Sequence, residues 1–152
     1  MLLFCNKMKK MKKNIIALDL GKGSLGLAIS RSGSFITPLK NIRFHALDYR
    51  ECIKLFLKEI ENETIEHICV GYPTYPSGDP CEMTPIVLAF VELIKPLFPN
   101  VDINLVDERN STVEASDILS SNNKNSKKQK KNIDSIAATV ILDRYLKSIN
   151  QG

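Results

Sequence analysis

Residues 15–30 read Ile-Ile-Ala-Leu-Asp-Leu-Gly-Lys-Gly-Ser-Leu-Gly-Leu-Ala-Ile-Ser. The first six are apolar on both faces except at Asp19, as a central strand is. Gly21 to Ser24 turn the chain, and residues 25–30 return as a second strand, stopped by Arg31, Ser32 and Gly33. A carboxylate in a strand otherwise suited to burial costs free energy unless something pairs with it, such as a metal. Asp19 is therefore the first candidate site residue.

Downstream, residues 34–37 and 42–46 are weaker strand segments around Pro38 and form a third strand with a bend, so the chain opens as an antiparallel meander. Asp48 caps a helix, with Glu51 at capping-box spacing. Cys52, Ile53, Phe56 and Ile60 follow at helical intervals. Residues 65–71 form a short strand leading into Gly71-Tyr72-Pro73 and a loop with Pro76, Gly78 and Pro80. Thr84 and Pro85 start a helix expected to bury Val87, Leu88, Val91, Leu93 and Ile94 and to end near Pro96. Residues 101–106 are a strand running into Asp107-Glu108-Arg109. Ser111 or Thr112 caps a short helix to about Leu119. Residues 122–131 read as a polar, lysine-rich loop, and Asn132 begins the last helix, with Ile133, Ile136, Ala137, Val140, Ile141 and Leu146 inward. The order is β-β-β-α-β-α-β-α-α. It predicts an α/β protein with a five-stranded mixed sheet flanked by helices, the βα units adding parallel strands by right-handed crossovers.

The chain of 152 residues is long enough for one domain with a real core. Residues 14–149 are expected to form it, and residues 1–13 a disordered extension in which Met8 and Met11 are alternative starts. No apolar run approaches the length needed to cross a membrane, so no membrane partner is expected. Apolar residues precede the lysines at the N-terminus, the reverse of a signal peptide. Cys5, Cys52, Cys69 and Cys81 lack paired spacing and predict reduced thiols in a cytoplasmic protein, while His45 and His67 read as surface or packing residues. The net charge of +4 is uneven. Five lysines lie in 7–13 and five in 124–131; without those ten, 11 Lys and Arg face 17 Asp and Glu, a net −6. Concentrated lysine suits a polyanion, whose counterions it releases.

Gly21, Gly23 and Gly26 have the spacing of a dinucleotide fingerprint, but that motif opens a helix and here a strand follows. Asp-x-Gly before a hairpin also resembles the first phosphate loop of actin-like ATPases, which need two domains around ATP. Glu108 follows a strand and precedes a helix, where open α/β sheets place ligands. Alternation separates it from Asp107, so one acid is expected to be structural, pairing with Arg109, and the other functional. Asp134 lies in the expected first turn of the last helix, on one face with Ala138, Ile141 and Tyr145. It serves there either as a dipole partner or as an inward-facing acid. Three carboxylates, Asp19, Glu108 and Asp134, at one end of a sheet suit Mg²⁺ or Mn²⁺. The lysine segment beside Asp134 would hold a nucleic-acid backbone against this acidic site.

At this point the chain resembles the YqgF family, described as pre-16S rRNA nucleases and as Holliday-junction resolvases. The resemblance spans about residues 14–148. It rests on Asp19-x-Gly21 with Gly26, Gly71-x-Pro73, Asp107-Glu108-Arg109-x-Ser111-Thr112 with Ala115, and Ile133-Asp134-Ser135-x-Ala137-Ala138-x-x-Ile141-Leu142. It implies an RNase H-like fold and metal-dependent phosphodiester hydrolysis in 5′-end maturation of small-subunit rRNA. The family's acids fall on Asp19, Glu108 and Asp134. Lys22, Arg109, Thr112, Lys127, Lys128, Lys130 and Lys131 are the expected substrate-binding residues. The partners implied are precursor rRNA, with the ribosomal small subunit, and the chain acts as a monomer or weak homodimer. Gly23 and Ser24 stand where the family usually carries a basic pair, and Asn110 replaces an apolar residue.

Overall fold

The opening stretch forms the expected hairpin. β1 (Ile15–Leu20) and β2 (Ser24–Ser30) pair antiparallel, with Asp19 opposite Gly26. The computed structural model describes residues 14–31, 33, 35–109 and 126–151, with side chains in the last span from 136 to 149. The extension expected over 1–13 and the helix expected over 111–119, including Thr112, lie outside these residues.

The bent third strand is two short strands. β3 (Thr37–Pro38) and β4 (Ile42–Arg43) both pair with β2, and residues 39–41 bulge between them. Pro38 has no N–H to extend the ladder, and it sits on an edge, where that loss costs least. The sheet therefore has six strands rather than five, in the order β3-β2-β1-β5-β6, with β4 also on β2. β5 (His67–Tyr72) lies parallel between β1 and β6 (Asp102–Asp107). This mixed α/β sheet with helices on both faces is the RNase H-like arrangement that the element order and the resemblance predicted.

Strand alternation builds two cores. Ile16, Leu18 and Leu20 join Val70, Phe56 and Phe90 on one face; Ile15, Ala17 and Cys69 meet Ala138, Ile141 and Leu142 on the other. The first face is covered by α1 (Tyr49–Glu59) and α2 (Met83–Ile94), the latter extended by a 3₁₀ turn, Lys95–Leu97. Phe56 and Phe90 are fully buried there, each worth about 1.5–3 kcal/mol. Asp48 caps α1, accepting the Glu51 N–H at 3.1 Å. Glu51 reaches back to the His45 N–H at 2.7 Å rather than to the cap residue itself. On α2 the buried stripe is Thr84, Val87, Phe90, Val91 and Ile94. Leu88 and Leu93, expected inside, are 41% and 50% exposed. Counted from Val87, residues 87, 90, 91 and 94 are the i, i+3, i+4, i+7 stripe, and Leu88 and Leu93 lie to either side of it.

α3 (Ser126–Gln151) covers the second face. Fully buried Ala138 lets the helix approach the sheet closely. The helix starts earlier than expected. Lys127, Lys128, Lys130 and Lys131 are helical rather than in a loop, and Asn132 is inside the helix rather than its cap. Lys and Gln are good helix formers, and neither Pro nor Gly interrupts residues 126–151. Asp134 is consequently about two turns inside the helix, not in its first turn. His67 is buried with its ring 6.3 Å from that of Tyr145, and exposed His45 contacts Glu51. No described helix is long and apolar enough to cross a membrane.

Candidate functional site

Alternation along β1 sends Asp19, like Ile15 and Ala17, to the α3 face. Gly26 opposite adds no side chain beside it. Val106 of β6 packs on the same face, so Glu108, two residues on, points there as well. β5 separates the two strands. Its Val70 is level with Leu18, and its Gly71 with Val106. Gly71 thus lies on the line between the two acids. A Cβ at Gly71 would collide with Glu108 Oε2 and come within 2.6 Å of Ile141 Cδ1. The missing side chain is the space in which the carboxylates meet.

Glu108 hydrogen-bonds Asp19. Burial and then the Asp19 charge push its carboxyl up to about 8, with Cys81 adding to the rise and the Arg144 guanidinium opposing it. Burial and the neighbouring carboxylate thus favour the protonated form of Glu108 over the charged one. Its Oε2 is buried and finds no hydrogen-bond partner in the protein. Two carboxylates forced together, one with an orphaned buried oxygen, form a donor set that fits a divalent cation. Among the described residues these two acids form no larger cluster with His, Cys, Asp or Glu. Asp134 lies in α3 four residues before buried Ala138, and its side chain is outside the described residues.

Asp107 has the structural part. Arg109 donates from Nε to both Asp107 oxygens, at 3.2 and 2.9 Å, and its backbone N–H to Oδ1 at 3.0 Å. These bonds hold the Asp107 carboxyl below its ordinary range. Arg144 Nη1 donates to the Asp107 carbonyl at 2.8 Å. Lys22 is at the rim, in an exposed ion pair with Glu82 at 2.8 Å. The backbone of its turn is braced: Leu47 N–H donates to the Lys22 carbonyl, Phe44 N–H to that of Gly23, and Tyr49 Oη to that of Gly21. The three glycines therefore lead into β2 and open no helix, unlike a dinucleotide loop.

The loop after Pro73 follows the strand that carries Gly71. Thr74 pairs with Pro80, and Gly78 takes a φ of 94°, a left-handed turn that suits glycine. Buried Thr84 anchors the loop, its Oγ1 donating to the Pro73 carbonyl and accepting the Cys81 N–H at 2.9 Å. Among the described residues the cysteines are free thiols. Burial pushes the Cys52 thiol up to about 12 and raises Cys69 further, whereas the Thr84 hydroxyl lowers that of Cys81.

The structure thus unites Asp19 and Glu108, puts Lys22 and Arg109 at the margin, and leaves Thr112 and the side chains of Lys127, Lys128, Lys130 and Lys131 outside its description. Gly71 enters the sequence reading only as part of Gly71-x-Pro73 and Thr84 only as a helix start, and Arg144 carries no chemical signature in sequence.

The chain is similar to proteins named "Putative pre-16S rRNA nuclease". The relative from Mycoplasmopsis pulmonis is 40% identical over 143 residues, covering 91% of this chain and 94% of that protein. The one from Mycoplasma capricolum is 39% identical over 145 residues, covering 91% and 98%. The one from aster yellows witches'-broom phytoplasma is 37% identical over 131 residues, covering 86% and 87%. A family model described as "RuvX: Holliday junction resolvase" matches residues 13–148. On that match and these relatives, the chain belongs to the RuvX family.

Proposed function

We propose that this protein is a nuclease that hydrolyses phosphodiester bonds and acts in the cytoplasm on the 5′ end of precursor 16S rRNA. The observation that carries this reading is the Asp19–Glu108 pair, with an orphaned buried oxygen, at the carboxyl ends of β1 and β6. Membership of the RuvX family supports a nuclease, and the names of the relatives support the rRNA substrate.

Asp19 and Glu108 would hold Mg²⁺ or Mn²⁺, with Asp134 completing the set from α3. What such a cation supplies is an activated water and charge stabilisation at phosphorus. The chain's own residues do the rest. Gly71 leaves room for the two carboxylates to converge. Ile141 packs against the same space at Gly71 that Glu108 enters. Lys22 and Arg109, with Thr112 and the lysines of early α3, bind the strand. The protein works as a monomer or weak homodimer.

The test is cleavage of a precursor rRNA fragment in Mn²⁺ or Mg²⁺ by wild type, Asp19→Asn, Glu108→Gln and Asp134→Asn. Loss of cleavage in the variants is expected; equal cleavage by all four proteins overturns the reading. The family description favours a second substrate, a four-way DNA junction. Preferential cutting of that junction by a stable dimer selects it. Absence of cleavage, with no shift in melting temperature in millimolar Mn²⁺, selects a non-catalytic RNA-binding role.

A further inference from the structure

α2 is apolar almost all round. Residues 83–94 contain a single charged side chain, Glu92. A helix apolar on every side is normally buried on every side. Here Val87, Phe90, Val91 and Ile94 are buried, yet Pro85, Leu88, Ala89 and Leu93 are exposed. Leu97, in the 3₁₀ turn that continues the helix, is 46% exposed. α1 covers the same sheet face and differs: Arg50, Lys54, Lys58 and Glu59 surround its exposed Leu55 and Leu57. At about 100° per residue, Pro85, Ala89, Glu92 and Pro96 run down the middle of the exposed α2 face. Leu93 and Leu97 lie on one flank, toward Ala89. Leu88 and Lys95 lie on the other, toward Glu92. Glu92 and Lys95 are paired at 2.9 Å, and both side chains are more than half exposed. A contiguous apolar face with a charged margin marks an interaction surface.

We propose that this face docks against the same face of a second copy of the chain, the two α2 helices running antiparallel about a two-fold axis at Leu93. Antiparallel helices related in this way bring like flanks together, and such an interface must be self-complementary. On one flank Leu93 meets the partner's Leu93, and Ala89 meets the partner's Leu97. On the other, the same register sets Glu92 opposite the partner's Lys95. One axis thus satisfies both the leucines and the charges. A parallel pairing would instead bring Glu92 level with its own copy. A single helix face is smaller than the roughly 800 Å² per partner of a standard interface, so the dimer is weak and depends on concentration. The inference stands independently of the nuclease reading.

The experiment is sedimentation equilibrium of the full chain from micromolar to near-millimolar concentration at low salt. Wild type is expected to pass from monomer to dimer across this range. Leu93→Glu is expected to weaken the dimer about tenfold or more. Leu93→Ser takes its place if that variant melts well below wild type. Glu92→Lys and Lys95→Glu each set like charges against one another and are expected to weaken the dimer several-fold. The double variant, with the two charges exchanged, is expected to recover the wild-type dissociation constant. Under mild oxidation Leu93→Cys is expected to cross-link to its own copy, and Leu57→Cys on α1 is expected to do so no more than wild type. A monomer at every concentration overturns the proposal and leaves the face to a different occupant. A dimer of unchanged strength in Leu93→Glu or Leu93→Ser, a double variant no stronger than the single ones, or equal cross-linking at positions 57 and 93 overturns it as well.

Discussion

Glu108→Gln probes the acid pair without altering its shape. Burial and the Asp19 charge push the Glu108 carboxyl from its ordinary 4.5 up to about 8 in the fold. The folded protein therefore holds this proton more tightly, and the group's contribution to stability is complete below 4.5 and lost as pH rises toward 8. At roughly 1.4 kcal/mol per pH unit, the span from 4.5 to neutral pH removes a few kcal/mol at most. Glutamine carries no such burden, because its amide donates to Asp19 as the protonated acid does. In EDTA the variant should match wild type near pH 4.5 and exceed it progressively above pH 6. At about 2–4 °C per kcal/mol for a chain of this size, the gain is several degrees in Tm. Urea unfolding at pH 5 and pH 8, followed by circular dichroism, reads the difference. Millimolar Mn²⁺ should close the gap by stabilising wild type alone. A variant less stable than wild type by the same amount at both pH values would refute the reasoning, because it would mean Glu108 is not held protonated by burial and Asp19.

Gly71→Ala should destabilise by about 1–3 kcal/mol, since its Cβ must displace Glu108 or Ile141, and it should blunt the Mn²⁺-induced rise in melting temperature. A thermal melt with and without metal checks both effects. Thr84→Val strips the buried Pro73 carbonyl and Cys81 N–H of their partner, at about 1–3 kcal/mol, and amide exchange at Cys81 should accelerate. Timed alkylation of the native protein should modify Cys81 well before Cys52 or Cys69, because burial keeps those two protonated. Peptide mass mapping reads the order.

Much of the fold is legible along the chain because local patterns report local structure. Continuous apolarity at Ile15–Leu20 and the glycine turn after it require a hairpin. Asp48 marks a helix start because its side chain satisfies an N–H three residues away. The pattern misleads where two readings share one composition. Leu88 and Leu93 are as apolar as Val87 and Val91, and only the angle at which α2 meets the sheet leaves them outside. The lysines of 127–131 read as a loop because they are polar, yet the same residues favour helix.

Residue types along the chain establish which acids are available, that Asp19 is out of place in a buried strand, and that Asp107 and Glu108 face opposite ways. Each of these follows from residue type and a period of two. The folded sheet decided that Asp107 is the residue paired with Arg109 and that Glu108 reaches across the gap at Gly71 toward Asp19. It also decided that Arg144, distant in sequence, donates to the Asp107 carbonyl. The reason is that β5 inserts between β1 and β6, and no local pattern encodes which strands become neighbours or how closely their side chains approach.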